Sequence, residues 1–354
     1  MTFSSATDWH PGRLARFRHG TVIPAHLLAL TRDLTVDLRR MRALTRYYLE
    51  AGAGGVAVGV HTTQFAIRKH GLYRPVLAQV AETIERYGST DTVKVAGVTG
   101  PSEQALSEAA TARELGYDAA LLNVAAFKNV PEADILAHCR AVAEVMPVIG
   151  FYLLTEVGGI VLSREFWTEF CRIPNVVGIK MAPFNRYRTV DVVHGLVAAR
   201  AEGRVTLYTG NDDHIVGDLL TPFVVPRDGQ RVTVHIRGGL LGHWAVWTRT
   251  AVHMFARLRA AQDLPSIPAD LLALDSQVTD CNRAIYDSQH DFRGCIPGCH
   301  EVLRRQGLFE GVWCLDPEER LSPGQAALID RVYADYPEMN DDAFVREHLA
   351  RWLA

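Results

Sequence analysis

The chain has 354 residues, 48% of them hydrophobic, and a formal charge of −3. That length and apolar content suffice for a large buried core, while the near-neutral balance gives no electrostatic footprint for nucleic acid and no polybasic cluster for a membrane surface. No apolar run approaches the ~18 residues of a membrane span, and residues 1–18 lack the continuous apolar stretch of a signal peptide, so a cytoplasmic protein is expected.

From there the pattern alternates short β-like runs with amphipathic helical segments. The first run is Thr21-Val22-Ile23-Pro24-Ala25, and residues 34–51 follow with Leu38, Met41, Leu44 and Tyr48 at helical spacing. Strand-like Val56-Ala57-Val58-Gly59-Val60 precedes a helix over 75–87. Val93-Lys94-Val95-Ala96-Gly97 precedes a helix opened by Pro101-Ser102-Glu103, with proline where a first turn tolerates it. Residues 119–123 and 148–153 read as the fourth and fifth strands, with helices over 132–145 and 164–171. The sixth strand is Asn175-Val176-Val177-Gly178-Ile179-Lys180-Met181-Ala182-Pro183, and its helix covers 187–201. A seventh strand at 205–209 leads to a helical stretch over 214–220. Val232-Thr233-Val234-His235-Ile236 is the expected eighth strand, closed by a long helix over 242–261.

Eight strand–helix units in roughly the ~250 residues that a (β/α)8 TIM barrel uses predict that fold. A doubly wound sheet is the competing architecture, but no Gly-x-Gly-x-x-Gly follows the first strand. The expected organisation is a barrel with a short N-terminal extension over 1–263, and a C-terminal helical extension packed on it over 264–354, broken near Pro297-Gly298.

In such a barrel chemistry sits at the C-terminal ends of the strands. Lys180 stands near the end of a strand whose apolar run suits burial on both faces. Buried there, its amine loses charge and becomes a nucleophile for carbonyl carbons; alternatively it has cleared the strand and points to solvent. Tyr152 follows Gly150 by two positions, as Lys180 follows Gly178. If both polar side chains face inward, adjacent strands place a phenol beside an amine, a pairing suited to the proton transfers of imine chemistry.

His61, Thr62 and Thr63 end the second strand as a candidate carboxylate cradle; the competing reading is a turn whose hydroxyls bond their own backbone. Gly210 and Asn211 open the turn after the seventh strand, where Asp212 or Asp213 reads as a helix N-cap. Gly238, in Arg237-Gly238-Gly239, is a candidate backbone donor to an anionic substrate. His26, His61, His214 and His235 invite a metal reading, yet no His-x-His or His-Glu-x-x-His spacing supports it, and no metal site is expected. Cys295, Cys299 and His300 lack a second ligand pair, so buried free thiols are expected.

Gly178-Ile179-Lys180, the Tyr152 strand, Thr62-Thr63 and Gly210-Asn211-Asp212-Asp213 together resemble the dihydrodipicolinate synthase/N-acetylneuraminate lyase superfamily. So does the tail, where Cys295-Ile296-Pro297 precedes residues 301–308. The resemblance runs from about 20 to 332. It implies a class I barrel enzyme in which Lys180 forms an imine with pyruvate or another 2-keto acid, Tyr152 shuttles protons, and Thr62 and Thr63 hold the keto-acid carboxylate.

Departures narrow that expectation. The family's Gly-Thr-Thr-Gly-Glu becomes Gly59-Val60-His61-Thr62-Thr63-Gln64, which brings His61 towards the pocket. Where the synthases carry Asn-Val-Pro-Ser-Arg-Thr-Gly after the tyrosine, this chain has Leu153-Leu154-Thr155-Glu156-Val157-Gly158-Gly159, with Val157 read in place of the carboxylate-binding arginine. The paired tyrosines after the fourth strand are replaced by Val124-Ala125-Ala126-Phe127.

The expected function is therefore a class I lyase or aldolase joining or splitting a 2-keto acid and a weakly anionic aldehyde, distinct from dihydrodipicolinate synthase. A dehydratase or hydratase of a sugar-acid-like keto acid, or a keto-acid-binding barrel without turnover, are the alternatives. The covalent lysine imine replaces any cofactor. The expected partners are small molecules and further copies of the chain, as a dimer or tetramer, with neither nucleic acid nor membrane.

Overall fold

The computed structural model describes residues 9–262 and 264–354. Eight parallel strands form the central sheet: β1 (Val22–Pro24), β2 (Gly55–Val58), β3 (Val93–Val98), β4 (Ala119–Asn123), β5 (Val148–Leu153), β6 (Val176–Ala182), β7 (Thr206–Thr209) and β10 (Gly238–Leu241). They pair in the order β1-β10-β7-β6-β5-β4-β3-β2, and the Ala25–Ala57 bridge joins the two ends into a barrel. Their residues are buried on both faces, as helix-covered parallel strands require.

The helices of the outer ring are α2 (Leu38–Ala51), α3 (Tyr73–Tyr87), α4 (Ser102–Glu114), α5 (Glu132–Val145), α6 (Arg164–Arg172), α7 (Arg186–Ala198), α8 (Ile215–Leu220) and α9 (Thr248–Ala261). Local chemistry marks their ends. Asp37 accepts the Arg40 N–H at 3.0 Å to cap α2, Gly52 stops that helix in the left-handed region, and Ser163 caps α6 through the Phe166 N–H.

A further helix, α1 (Pro11–His19), closes the bottom of the barrel. Its Phe17 is buried among inward-facing residues and stacks on Tyr208 with ring centroids 4.7 Å apart. The top therefore remains the open end.

Two expectations are corrected. Residues 232–236 are not the eighth barrel strand. They overlap β9 (Gln230–Val234), which pairs antiparallel with β8 (Phe223–Arg227) in a hairpin outside the barrel. Its Asp228-Gly229 turn has φ of 52° and 74°, the geometry of a tight two-residue loop. The eighth barrel strand is the glycine-led β10. Nor does the chain break at Pro297-Gly298: both lie in the first turn of α11 (Cys295–Arg305), where a missing N–H leaves no helical bond unmade.

The C-terminal part also contains α10 (Ala269–Ile285), α12 (Gln325–Asp335) and α13 (Asp342–Leu353). It is fastened to the barrel by buried polar contacts. Asp341 accepts the Tyr47 hydroxyl at 2.7 Å and the Thr250 N–H at 2.9 Å, and Gln64 Oε1 accepts the Leu315 N–H at 2.6 Å. No helix among the described residues is long and apolar enough to cross a membrane.

Candidate active site

A cavity of about 70 Å³ opens at the C-terminal ends of the strands. Lys180 projects into it from the inner face of β6 and is only 7% exposed. Its amine lies 4.3 Å from the centroid of the Phe151 ring, the inward residue that pairs with it on β5. Burial holds the amine well below the ordinary lysine value, opposed by the charge of Asp212. Gly210 makes the room: a Cβ there would stand 2.5 Å from Lys180 Cε.

Asp212 lines the same cavity, and burial raises its carboxyl well above the ordinary value against the pull of Lys180. It is not a helix cap; His214 occupies the N-cap of α8. Tyr286, just after α10, reaches Asp212 Oδ1 with its hydroxyl at 3.3 Å. Burial pushes this phenol further up, so it stays protonated. Phe184, Phe292, Leu153, Leu154 and Val157 supply an apolar wall, and Cys295 completes it from α11.

The residues expected at the site divide. Lys180, His61, Thr62 and Gly210 line the cavity; Tyr152, Thr63, Asn211 and Gly238 do not. Tyr152 points outward, 1% exposed, with its ring 4.9 Å from Trp167 of α6 and its hydroxyl shared between the Leu162 N–H at 3.3 Å and the Leu162 carbonyl at 3.4 Å. It is a core residue. Asn211 turns to structure: its Oδ1 accepts the Phe184 N–H, and its Nδ2 donates to Asp218 and Thr189. Gly238 begins β10 at the opposite end, against Thr21 and Tyr208.

The threonines follow the backbone-bonding reading. Thr62 Oγ1 donates to the Ala25 carbonyl at 2.8 Å, and Thr63 Oγ1 donates to the His26 carbonyl at 2.7 Å and accepts the Gly59 N–H at 3.0 Å. His61 begins the 3₁₀ turn His61–Thr63, and burial, with the Lys180 charge adding to it, lowers its pKa to about 4. It is a neutral imidazole in the cavity.

The four rim histidines do not gather. His26 is buried in the core, with Nδ1 donating to the Leu27 carbonyl at 2.7 Å and Nε2 facing the Thr45 hydroxyl at 2.9 Å. His214 pairs with Asp275 at 2.7 Å, and His235 follows β9 near the barrel bottom. Among the described residues no three His, Cys, Asp or Glu side chains converge in a metal-binding geometry. All six cysteines are free thiols.

The dihydrodipicolinate synthetase family model matches residues 18–222, more than half of the chain. The chain belongs to that family. A 4-hydroxy-tetrahydrodipicolinate synthase of Halorhodospira halophila is 25% identical over 185 residues, 51% of this chain and 58% of that protein. An N-acetylneuraminate lyase of Citrobacter koseri is 24% identical over 202 residues, 56% of this chain and 65% of that protein. The chain thus spans less than two thirds of the length of these relatives. Solved folds agree over more of it. The dihydrodipicolinate synthase of Acinetobacter baumannii, complexed with pyruvate, superposes with a TM-score of 0.73 at 17% identity, covering 89% of this chain and 98% of that one. The N-acetylneuraminate lyase of Fusobacterium nucleatum gives 0.70 at 14%, covering 90% and 99%.

On β5 the inward residue that meets the lysine is Phe151, not Tyr152. Glu156 is exposed and accepts the Thr155 hydroxyl at 2.8 Å, while Val157 lines the cavity. After β4 the 3₁₀ turn Ala125–Phe127 carries no tyrosine, and Phe127 packs on His138. Sequence reasoning missed Phe151, Asp212, Tyr286, Phe184 and Phe292. Phe151 was hidden by the register shift between β5 and β6, Asp212 was read as a helix cap, and the others converge through the tertiary fold.

Proposed function

We propose that this protein is a class I lyase or aldolase: Lys180 forms an imine with pyruvate or another 2-keto acid, and a C–C bond to an aldehyde is made or broken. The observation that carries this reading is a lysine buried in the open end of the barrel, its amine held below the ordinary value by desolvation. A buried amine of that kind adds to a ketone near neutral pH, where a solvated lysine is an ammonium ion. Gly210 shapes the space it needs, and the neutral His61 with the end of β2 offers donors for the keto-acid carboxylate.

The partner aldehyde is apolar or weakly polar. Leu153, Leu154, Val157, Phe184 and Phe292 form its side of the cavity, and no arginine among the described residues lines it. A second carboxylate there would lack the charge-assisted fork it needs, which argues against aspartate semialdehyde and so against dihydrodipicolinate synthesis. The same imine supports loss or addition of water as a variant chemistry. A second reading, a barrel that captures a keto acid without turnover, is favoured by one observation: the β5 ring that faces the lysine is a phenyl, with no hydroxyl to move protons.

Borohydride trapping with pyruvate, read by intact mass and peptide mapping, tests the proposal. The expected result is a reduced adduct on Lys180 that Lys180→Ala abolishes. No adduct with pyruvate or longer 2-keto acids would remove the imine reading; an adduct without turnover of any aldehyde would favour capture alone.

A further inference from the structure

Imine chemistry needs a proton donor and acceptor beside the amine, and β5 presents only a phenyl ring there. The cavity nevertheless contains a phenol. Tyr286 enters from the end of α10, and Gly242 admits it: a Cβ at 242 would stand 2.4 Å from the Tyr286 hydroxyl. The hydroxyl donates to Asp212 Oδ1, which also accepts the His243 N–H at 3.2 Å.

One explanation is a clamp holding the β7 turn to α10. That fastening is already made by main-chain contacts, since Asn282 Nδ2 donates to the Asp212 carbonyl at 2.6 Å and Thr279 Oγ1 to the Asp213 carbonyl at 2.9 Å. Asp212 and Tyr286 instead both line the cavity that holds Lys180, in a wall otherwise mostly apolar. A carboxyl buried beside an amine that acts on it through space is the arrangement an acid–base group requires.

We propose that Asp212 and Tyr286 form the acid–base pair of the imine cycle, so that the C-terminal extension supplies the phenol that β5 lacks. This rests on the reading of Lys180 as the imine-forming amine. The free amine adds to the keto carbon, and the pair moves one proton from nitrogen to the former carbonyl oxygen, giving a carbinolamine. The Asp212 carboxylic acid passes its proton through Tyr286 to that hydroxyl, which leaves as water while the nitrogen lone pair forms the iminium and Asp212 becomes a carboxylate. Asp212 takes a proton from C3 to give the enamine. The enamine carbon bonds to the aldehyde carbon, and the same proton passes to the aldehyde oxygen. Water then adds to the iminium and releases the hydroxy-keto acid and the free amine, and the one proton left over returns to Asp212. No oxidant or reductant enters.

The test is the rate of cyanoborohydride trapping with pyruvate across the neutral to alkaline range, for the wild type, Asp212→Asn and Tyr286→Phe, each checked by thermal melting. Tyr286→Phe is expected to slow trapping by ~10²-fold without loss of the folded state. Asp212→Asn removes the charge that raises Lys180, so the pH midpoint of trapping moves down. Wild-type rate and midpoint in both variants would overturn the pair while leaving the Lys180 reading intact, as would lowered melting temperatures with unmoved profiles. Absence of an adduct in the wild type would overturn both.

Discussion

Strands β5 and β6 lie side by side and carry the same Gly-x-polar pattern, yet they turn it in opposite directions. Gly150 and Tyr152 face the helices; Gly178 and Lys180 face the barrel axis. The difference arises at Val177. Val148 pairs with Val176, but Ile149 pairs with Gly178, so β6 holds one extra residue and its phase flips relative to β5. Each glycine serves a neighbour on its own side. A Cβ on Gly150 would meet Phe170 of α6 at 2.7 Å, and one on Gly178 would meet Phe17 of α1 at 2.8 Å. Period-2 alternation fixes which residues share a face within a strand. It does not say which face two neighbouring strands present to the same cavity.

The largest expected effect falls on the inner strand. Lys180→Ala should remove the trapped adduct and cut any turnover of the proposed reaction by at least ~10³-fold, since no other lysine among the described residues lines the cavity. Next come the glycines that crowd each face. Gly210→Ala pushes on Lys180 Cε and should slow trapping by ~10²-fold through misplacement of the amine. Gly150→Ala, against Phe170, should instead lower stability by roughly 1–3 kcal/mol, read by chemical denaturation, and leave trapping alone.

The pH profile sharpens the comparison further. Because Lys180 is lowered, trapping should rise with pH to a plateau whose midpoint lies well below the ~10.4 of a free lysine. The linkage sign is that the unfolded chain binds the extra proton between the two values. Lys180 therefore contributes stability that increases as pH climbs through that window. The smallest effect is expected at Tyr152→Phe, which loses its bonds to Leu162 and should cost about 1 kcal/mol of stability with unchanged trapping.

Much of the barrel was legible because parallel strands buried on both faces read as continuous apolar runs, as in 148–153 and around Lys180. The eighth strand was not. Residues 232–236 alternate apolar and polar, which is the mark of a half-exposed hairpin, whereas Gly238-Gly239-Leu240-Leu241 is short and reads as a turn. The Asp228-Gly229 dipeptide was the unused hairpin signal. Lys180, His61, Thr62 and Gly210, singled out because they end strands or open the turns after them, do line the cavity. Asp212 looked like a cap because an acid before a helix usually is one. Tyr286 and Phe292 lie more than seventy residues beyond Asp212 in the chain, and only the packing of α10 brings them to the cavity.

Exchange of the pyruvate methyl protons in deuterated water, followed by NMR, tests most directly that imine chemistry belongs to the inner face. It needs no aldehyde. The account predicts equal exchange rates for the wild type and Tyr152→Phe, and none above background for Lys180→Ala. Exchange lost in Tyr152→Phe, or retained in Lys180→Ala, would contradict it.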